Sequence, residues 1–176
     1  MFARHRTHTL WMTYLLTFNC YATHLPGDDR GWVDRSRGGH RGSYQGPRPE
    51  LLNHARRIAE KPYQLNLLRS RIVLEAIRET CDFRCWNLLA VHVRSTHVHV
   101  VADCFSDTDG AISDLKAYAT RALKRLDAWT AHSKHWARGG STRGLFTVES
   151  IKAAVRYVAD GQGEAMSVYV IDQSPR

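Results

Sequence analysis

The tripeptide His97-Val98-His99 is the most chemically pointed spacing in the chain. It sits in an apolar run from Thr96 to Cys104 that reads as a strand, and side chains two apart on a strand leave the same face. Two imidazoles converging on one face supply half of a divalent-metal site, with the remaining ligands drawn from elsewhere in the fold. The pair also fits two cross-strand polar residues at a sheet surface, and spacing alone leaves both readings open. Tyr157 lies at the edge of an apolar stripe formed by Ile151, Ala154, Val155 and Val158. It is either a phenol reaching into a cleft or a half-buried core residue with a wetted hydroxyl. Gln162, just past the stripe, offers a neutral oxygen to a metal or to solvent.

The elements that must hold these groups follow from periodicity and punctuation. Trp11 to Tyr21 is rich in aromatic and β-branched residues and reads as a strand. Two apolar runs, Cys85 to Val93 and Thr96 to Cys104, flank Arg94-Ser95 and form a tight antiparallel hairpin, with Val98, Val100 and Leu89 packing opposite the histidines. Glu50 to Glu60 is a helix candidate, and Leu67 to Thr80 a better one, with Leu68, Ile72, Ala76 and Ile77 at helical spacing. Asp109 to Leu126 is an amphipathic helix: Ile112, Leu115, Tyr118 or Ala119, Ala122 and Leu126 on one side, Lys116, Arg121, Lys124 and Arg125 on the other. A basic, Gly-rich segment from Lys134 to Phe146 contains a further strand. The last helix starts with Thr147 as N-cap and stops at Gly161. This order implies an α+β fold with a ferredoxin-like antiparallel sheet and helices on one face.

At 176 residues the chain is long enough for one domain and crowded for two. The segment from Pro26 to Pro49 holds six of the twelve glycines, three of the five prolines, and Arg30, Arg35, Arg37, Arg41 and Arg48. It reads as a basic loop inserted at about 26–49, and a short flexible C-terminal tail is expected from about 167. A net charge of +8 and a pI near 9.6 make a polyanion the first partner to consider. Nucleic acid fits better than a membrane, because the longest apolar stretch, around Leu10 to Cys20, is broken by Thr13, Thr17 and Asn19. No Ala-x-Ala cleavage site follows the charged N-terminus, and a cytoplasmic, nucleoid-associated location is expected. Cys20, Cys81, Cys85 and Cys104 make no Cys-x-x-Cys pair, which argues against a zinc ribbon and for buried small hydrophobes.

The cations recur near aromatic residues. Lys134, Arg138 and Arg143 alternate with Trp136 and Phe146, a pattern that suits phosphates and unpaired bases. Arg30, Trp32 and Arg35 in the insertion offer similar contacts to the foot of a DNA hairpin, and Lys116, Arg121 and Lys124 add a charged helix face. Each cluster is equally readable as a solvated surface.

Taken in order, these motifs resemble the single-tyrosine HUH transposases, in particular the REP-associated tyrosine transposase group. The likeness rests on His97-Val98-His99, Tyr157 and Gln162, on Leu25-Pro26-Gly27-Asp28-Asp29-Arg30-Gly31-Trp32, on Gly140-Ser141-Thr142-Arg143, and on Arg156-Tyr157-Val158 with Gly161-Gln162-Gly163. It spans roughly Trp11 to Met166. The resemblance implies that His97, His99 and Gln162 hold Mg²⁺ or Mn²⁺, and that Tyr157 attacks a DNA phosphodiester and becomes joined to the 5′ phosphate. Phenols, with a pKa near 10, are poor nucleophiles at neutral pH, so a metal polarising the phosphate makes chemical sense of a tyrosine. It further implies single-stranded or hairpin DNA as substrate and a homodimer. The chain departs from the pattern in two places. Ser95-Thr96 precedes the first histidine where the wider family has an asparagine-containing sequence, and the glutamine stands five residues after Tyr157 rather than four.

Two other classes remain. A histidine-triad nucleotide hydrolase needs a third histidine where Ser95 stands, and would work without Tyr157 or a metal. A domesticated DNA-binding domain would keep the fold and grip DNA without cutting, in line with the displaced glutamine. His24, His40 and His92 carry no role beyond packing or phosphate contact.

Overall fold

In the computed structural model the described residues are 12–23, 61–104, 107–126, 134–161 and 166–171. The insertion at 26–49, the helix candidate at Glu50 to Glu60 and Gln162 lie outside them. In chain order the elements are β1 (Met12–Asn19), α1 (Leu67–Phe83), β2 (Asn87–Val93), β3 (His97–Cys104), α2 (Thr108–Leu126), β4 (Ser141–Leu145), α3 (Val148–Asp160) and β5 (Ser167–Val170). The strands form one antiparallel sheet in the order β4-β1-β3-β2-β5. Its first four strands, with α1 and α2 as crossovers, have the ferredoxin-like arrangement expected from the element order.

Alternation along the strands divides the sheet into two faces. Leu16 and Phe18 of β1, Val91 and Val93 of β2, and Val98, Val100, Ala102 and Cys104 of β3 point to one side. There they bury against Val73, Ala76, Ile77 and Cys81 of α1 and Ala111, Ile112, Leu115, Ala119 and Leu123 of α2. Leu15, Thr17, His97, His99 and Val101 alternate with them and leave by the other side, which α3 covers. A smaller apolar cluster of Ala90, Val101, Leu145, Ala154, Val155 and Val158 joins α3 to the sheet.

The ends of α3 follow the sequence signals. Thr147 and Ser150 form a capping box, the Thr147 hydroxyl accepting from the Ser150 amide at 3.1 Å and the Ser150 hydroxyl accepting from the Thr147 amide at 3.1 Å. Gly161 ends the helix with an ordinary φ of −80°. Glycine is needed there for space: a Cβ would stand 2.8 Å from the Tyr157 carbonyl oxygen and 3.0 Å from its ring.

The structure corrects several expectations. The tail expected from about 167 begins with a strand, because Ser167–Val170 pairs with β2, the Ser167 hydroxyl meets that of Ser70 on α1 at 2.8 Å, and Arg78 lies 4.9 Å over the Tyr169 ring. Leu89 packs on the same side as the histidines, since a register shift between Leu88 and Ala90 breaks the alternation of β2. On α1 the buried stripe runs through Ser70, Val73, Ala76, Ile77 and Thr80, leaving Leu68 55% exposed, and Leu126 at the end of α2 is exposed as well.

Candidate active site

Both histidines are placed as strand geometry requires, on the face that α3 covers. The His97 and His99 ring centroids are 4.9 Å apart at 76°, and the Tyr157 ring stands 5.6 Å from that of His99 at 70°. The three groups converge because β3 presents the pair while the capped start of α3, two residues after β4, sets the rotation that turns position 157 toward it. Tyr157 is 46% exposed at the rim, and His99 is buried.

A row of residues crosses the sheet at this level. Strand register puts Val168, His92, His99, Thr17 and Ser141 side by side, from β5 to β4. Sequence reasoning named His99 and missed Thr17 and the place of His92 in this row. The Thr17 hydroxyl is hydrogen-bonded to His99 Nδ1 at 2.8 Å, and Thr96 does the same for His97 Nδ1 at 3.0 Å. Threonine partners at both Nδ1 atoms fix the ring orientations, as outer hydrogen bonds to an imidazole do. No pattern in either segment points to these threonines, because each partnership depends on pairing or local geometry.

Between β1, β3, β4 and α3 lies a pocket of about 480 Å³, whose walls include Thr17, His99, Ser141, Arg143, Ser150 and Tyr157. An imidazole, a phenol, one guanidinium and the hydroxyls of Thr17 and Ser141 suit a tetrahedral oxyanion such as a phosphodiester, while the Ser150 hydroxyl donates to the Thr147 carbonyl in the cap of α3. Among the described residues no cluster of three or more His, Cys, Asp or Glu side chains that could hold a metal ion occurs.

The remaining expected DNA contacts separate into groups. Arg143 reaches the pocket, and Arg138 is exposed on the approach to β4. Lys116, Arg121 and Lys124 ride on α2, across the sheet from the pocket. Arg121 lies 4.5 Å over Tyr118. The Lys116 ammonium donates to the carbonyls of Ala137, at 2.8 Å, and Gly139, and burial pushes its pKa down to about 8. Trp136 packs edge-on against Phe18 with centroids 5.1 Å apart and donates its Nε1–H to Lys116 O and Thr120 Oγ1. Lys116 and Trp136 thus pin the segment entering β4 to α2. Lys134 lies 5.3 Å over Tyr21. Phe146 stands 77% exposed, with its ring over Gly144. Arg30, Trp32, Arg35 and Gln162 lie outside the described residues.

No protein-family model matches the sequence, and no curated protein matches it. Two solved structures are similar in chain path. One is a REP-associated tyrosine transposase bound to a REP hairpin, 12% identical with a TM-score of 0.45, the match covering 89% of this chain and 70% of that one. The other, described as a transposase from Deinococcus radiodurans R1, is 12% identical with a TM-score of 0.42 over 88% of this chain and 93% of that one. Among the described residues no helix is long and apolar enough to cross a membrane.

Proposed function

We propose that this chain is a DNA strand nickase and strand transferase of the tyrosine transposase kind, acting on hairpin-forming single-stranded DNA through a 5′-phosphotyrosine intermediate. The observation that carries the reading is the convergence of Tyr157, His99 and His97, with successive ring centroids 5.6 and 4.9 Å apart and Tyr157 and His99 lining one pocket. Arg143 and the hydroxyls of Thr17 and Ser141 line the same cavity and suit a phosphate's non-bridging oxygens.

In this reading the Tyr157 phenol oxygen attacks phosphorus and the bond from phosphorus to the 3′ oxygen breaks. The phenol loses its proton, the departing 3′ oxygen gains one, and the 5′ phosphate stays on the tyrosine. The ester retains the energy of the broken linkage for rejoining to another 3′ hydroxyl. His97 and His99, with Gln162 as the third ligand, would hold Mg²⁺ or Mn²⁺, which when bound supplies Lewis acidity toward the phosphate. Thr17 and Thr96 hold the two imidazoles in place for that duty. The half-exposed position of Tyr157 leaves room for a polymeric substrate to enter.

The test is a denaturing gel of the purified chain with pooled, labelled single-stranded hairpins in Mn²⁺. A protein–DNA adduct that survives denaturation, requires the metal and vanishes in Tyr157→Phe and His97→Ala is the expected result. Salt-sensitive binding with no adduct would sink the nuclease reading in favour of a DNA-binding domain.

A further inference from the structure

His92 takes no part in the chemistry above, yet it is fully buried beside His99 in the row that crosses the sheet. Its Nδ1 lies 2.9 Å from the carbonyl oxygen of Val158, the residue after Tyr157. A carbonyl only accepts, so the proton sits on Nδ1 and Nε2 keeps a bare lone pair. That Nε2 is buried without a hydrogen-bond partner among the described residues. Burial, the largest influence on this imidazole, lowers its pKa and favours the neutral ring.

For stability alone this is a poor choice of residue, because an unsatisfied buried nitrogen costs free energy that an apolar side chain would not. What the histidine adds is direction. The apolar seam between α3 and the sheet sets Ala154, Val155 and Val158 against Ala90, Val101 and Leu145, with Leu15, Leu89 and Ile151 packed against it, and apolar contact is non-directional. A helix held that way can slip or turn, and a one-residue rotation of about 100° would carry Tyr157 off the pocket. Val158 is among the last four residues of α3, whose carbonyls have no amide partner within the helix. A sheet residue that donates there fixes the helix at the turn carrying the phenol.

We infer that His92 is a positioning residue that sets the place of Tyr157 relative to the histidine pair by bonding the last turn of α3 to the sheet. The inference deepens the proposed function and rests on it for its catalytic meaning, but the anchoring itself is measurable without cleavage. The experiment compares the full chain with His92→Phe, which fills the space without a donor, and His92→Asn, whose amide nitrogen stands near the place of Nδ1. Amide hydrogen exchange is read at Tyr157 to Gly161 and in β3, alongside binding and adduct formation with a labelled hairpin in Mn²⁺.

In His92→Phe, exchange at Tyr157 to Gly161 should rise by about tenfold or more with β3 unchanged. Hairpin affinity should stay within about twofold, while the adduct rate falls about 100-fold, the scale of a small misplacement of a reacting group. His92→Asn should recover most of both. Unchanged exchange in His92→Phe overturns the inference whether or not the parent chain cleaves. If His92→Phe fails to fold, His92→Asn decides alone: retained protection supports the anchor, and lost protection overturns it. If exchange responds as expected but the parent forms no adduct, the anchor stands and the nucleophile reading falls.

Discussion

The two faces of the sheet are built on different principles. The face covered by α1 and α2 is continuous and apolar, from Leu16 and Phe18 through Val98 and Val100 to Ile77, Leu115 and Leu123, all essentially inaccessible. The face covered by α3 has only a short apolar seam, and gives its remaining positions to His92, His97, His99 and Thr17, with a pocket where packing stops. Residues one apart on β3 therefore serve opposite ends, Val98 the core and His99 the site. The contrast teaches that one strand can hold a reactive group rigidly because its alternate side chains are locked in a dense core.

The sharpest way to separate the faces is Tyr157→Phe. It should remove adduct formation entirely on the gel described above while leaving the thermal midpoint within a degree or two, because the hydroxyl lost is at an exposed rim. Leu115→Ala on the opposite face should do the reverse. It should cost about 2–5 kcal/mol by urea unfolding, as buried leucine truncations do, with the adduct rate per folded molecule unchanged. A subtler break is Thr17→Val, which keeps shape but removes the partner of His99 Nδ1. The Mn²⁺ concentration needed for half-maximal adduct should rise about 10- to 100-fold, the usual effect of losing an outer hydrogen bond to a metal-binding histidine. Thr13→Val on the same strand, which loses only its 2.6 Å bond to Asp103, should leave that concentration unchanged.

The smallest effect belongs to Lys116. Its folded pKa of about 8 lies below its ordinary value of 10.5, so between those values the folded chain holds fewer protons than the unfolded one. Its charge burial thus counts against folding most fully below pH 8 and is relieved as pH rises through the window. Urea unfolding at pH 7.5 and 10 should show that gain in the parent chain, superimposed on other titrations, and a smaller one in Lys116→Met.

How much of this was legible in the sequence depends on how local each feature is. The hairpin, the Thr147 cap and the stop at Gly161 are written in neighbouring residues, and so is the shared direction of His97 and His99. Placing Tyr157 near them required only a helix of the right start and phase. The Thr17 partnership was not legible, since it joins positions 82 residues apart through the register of β1 on β3. The strand Ser167–Val170 escaped notice because it is short and its hydrogen bonds go to β2. Lys116 looked like its charged neighbours on α2, because helical periodicity says that it lies off the apolar stripe but not that a later segment folds over it.

The row from Val168 to Ser141 has a consequence for how a newly made chain becomes competent. A one-residue slip of β1 along β3 would exchange Thr17 for Leu16 or Phe18 and turn the hydroxyl to the other face. A molecule closed in the wrong register would therefore lack the support of His99 even if it were compact. Strands so far apart in sequence are slow to pair, and the reactive centre would be completed among the last events of folding. Premature or misassembled copies would then be impaired in the proposed strand-breaking chemistry, a built-in brake on unfinished molecules.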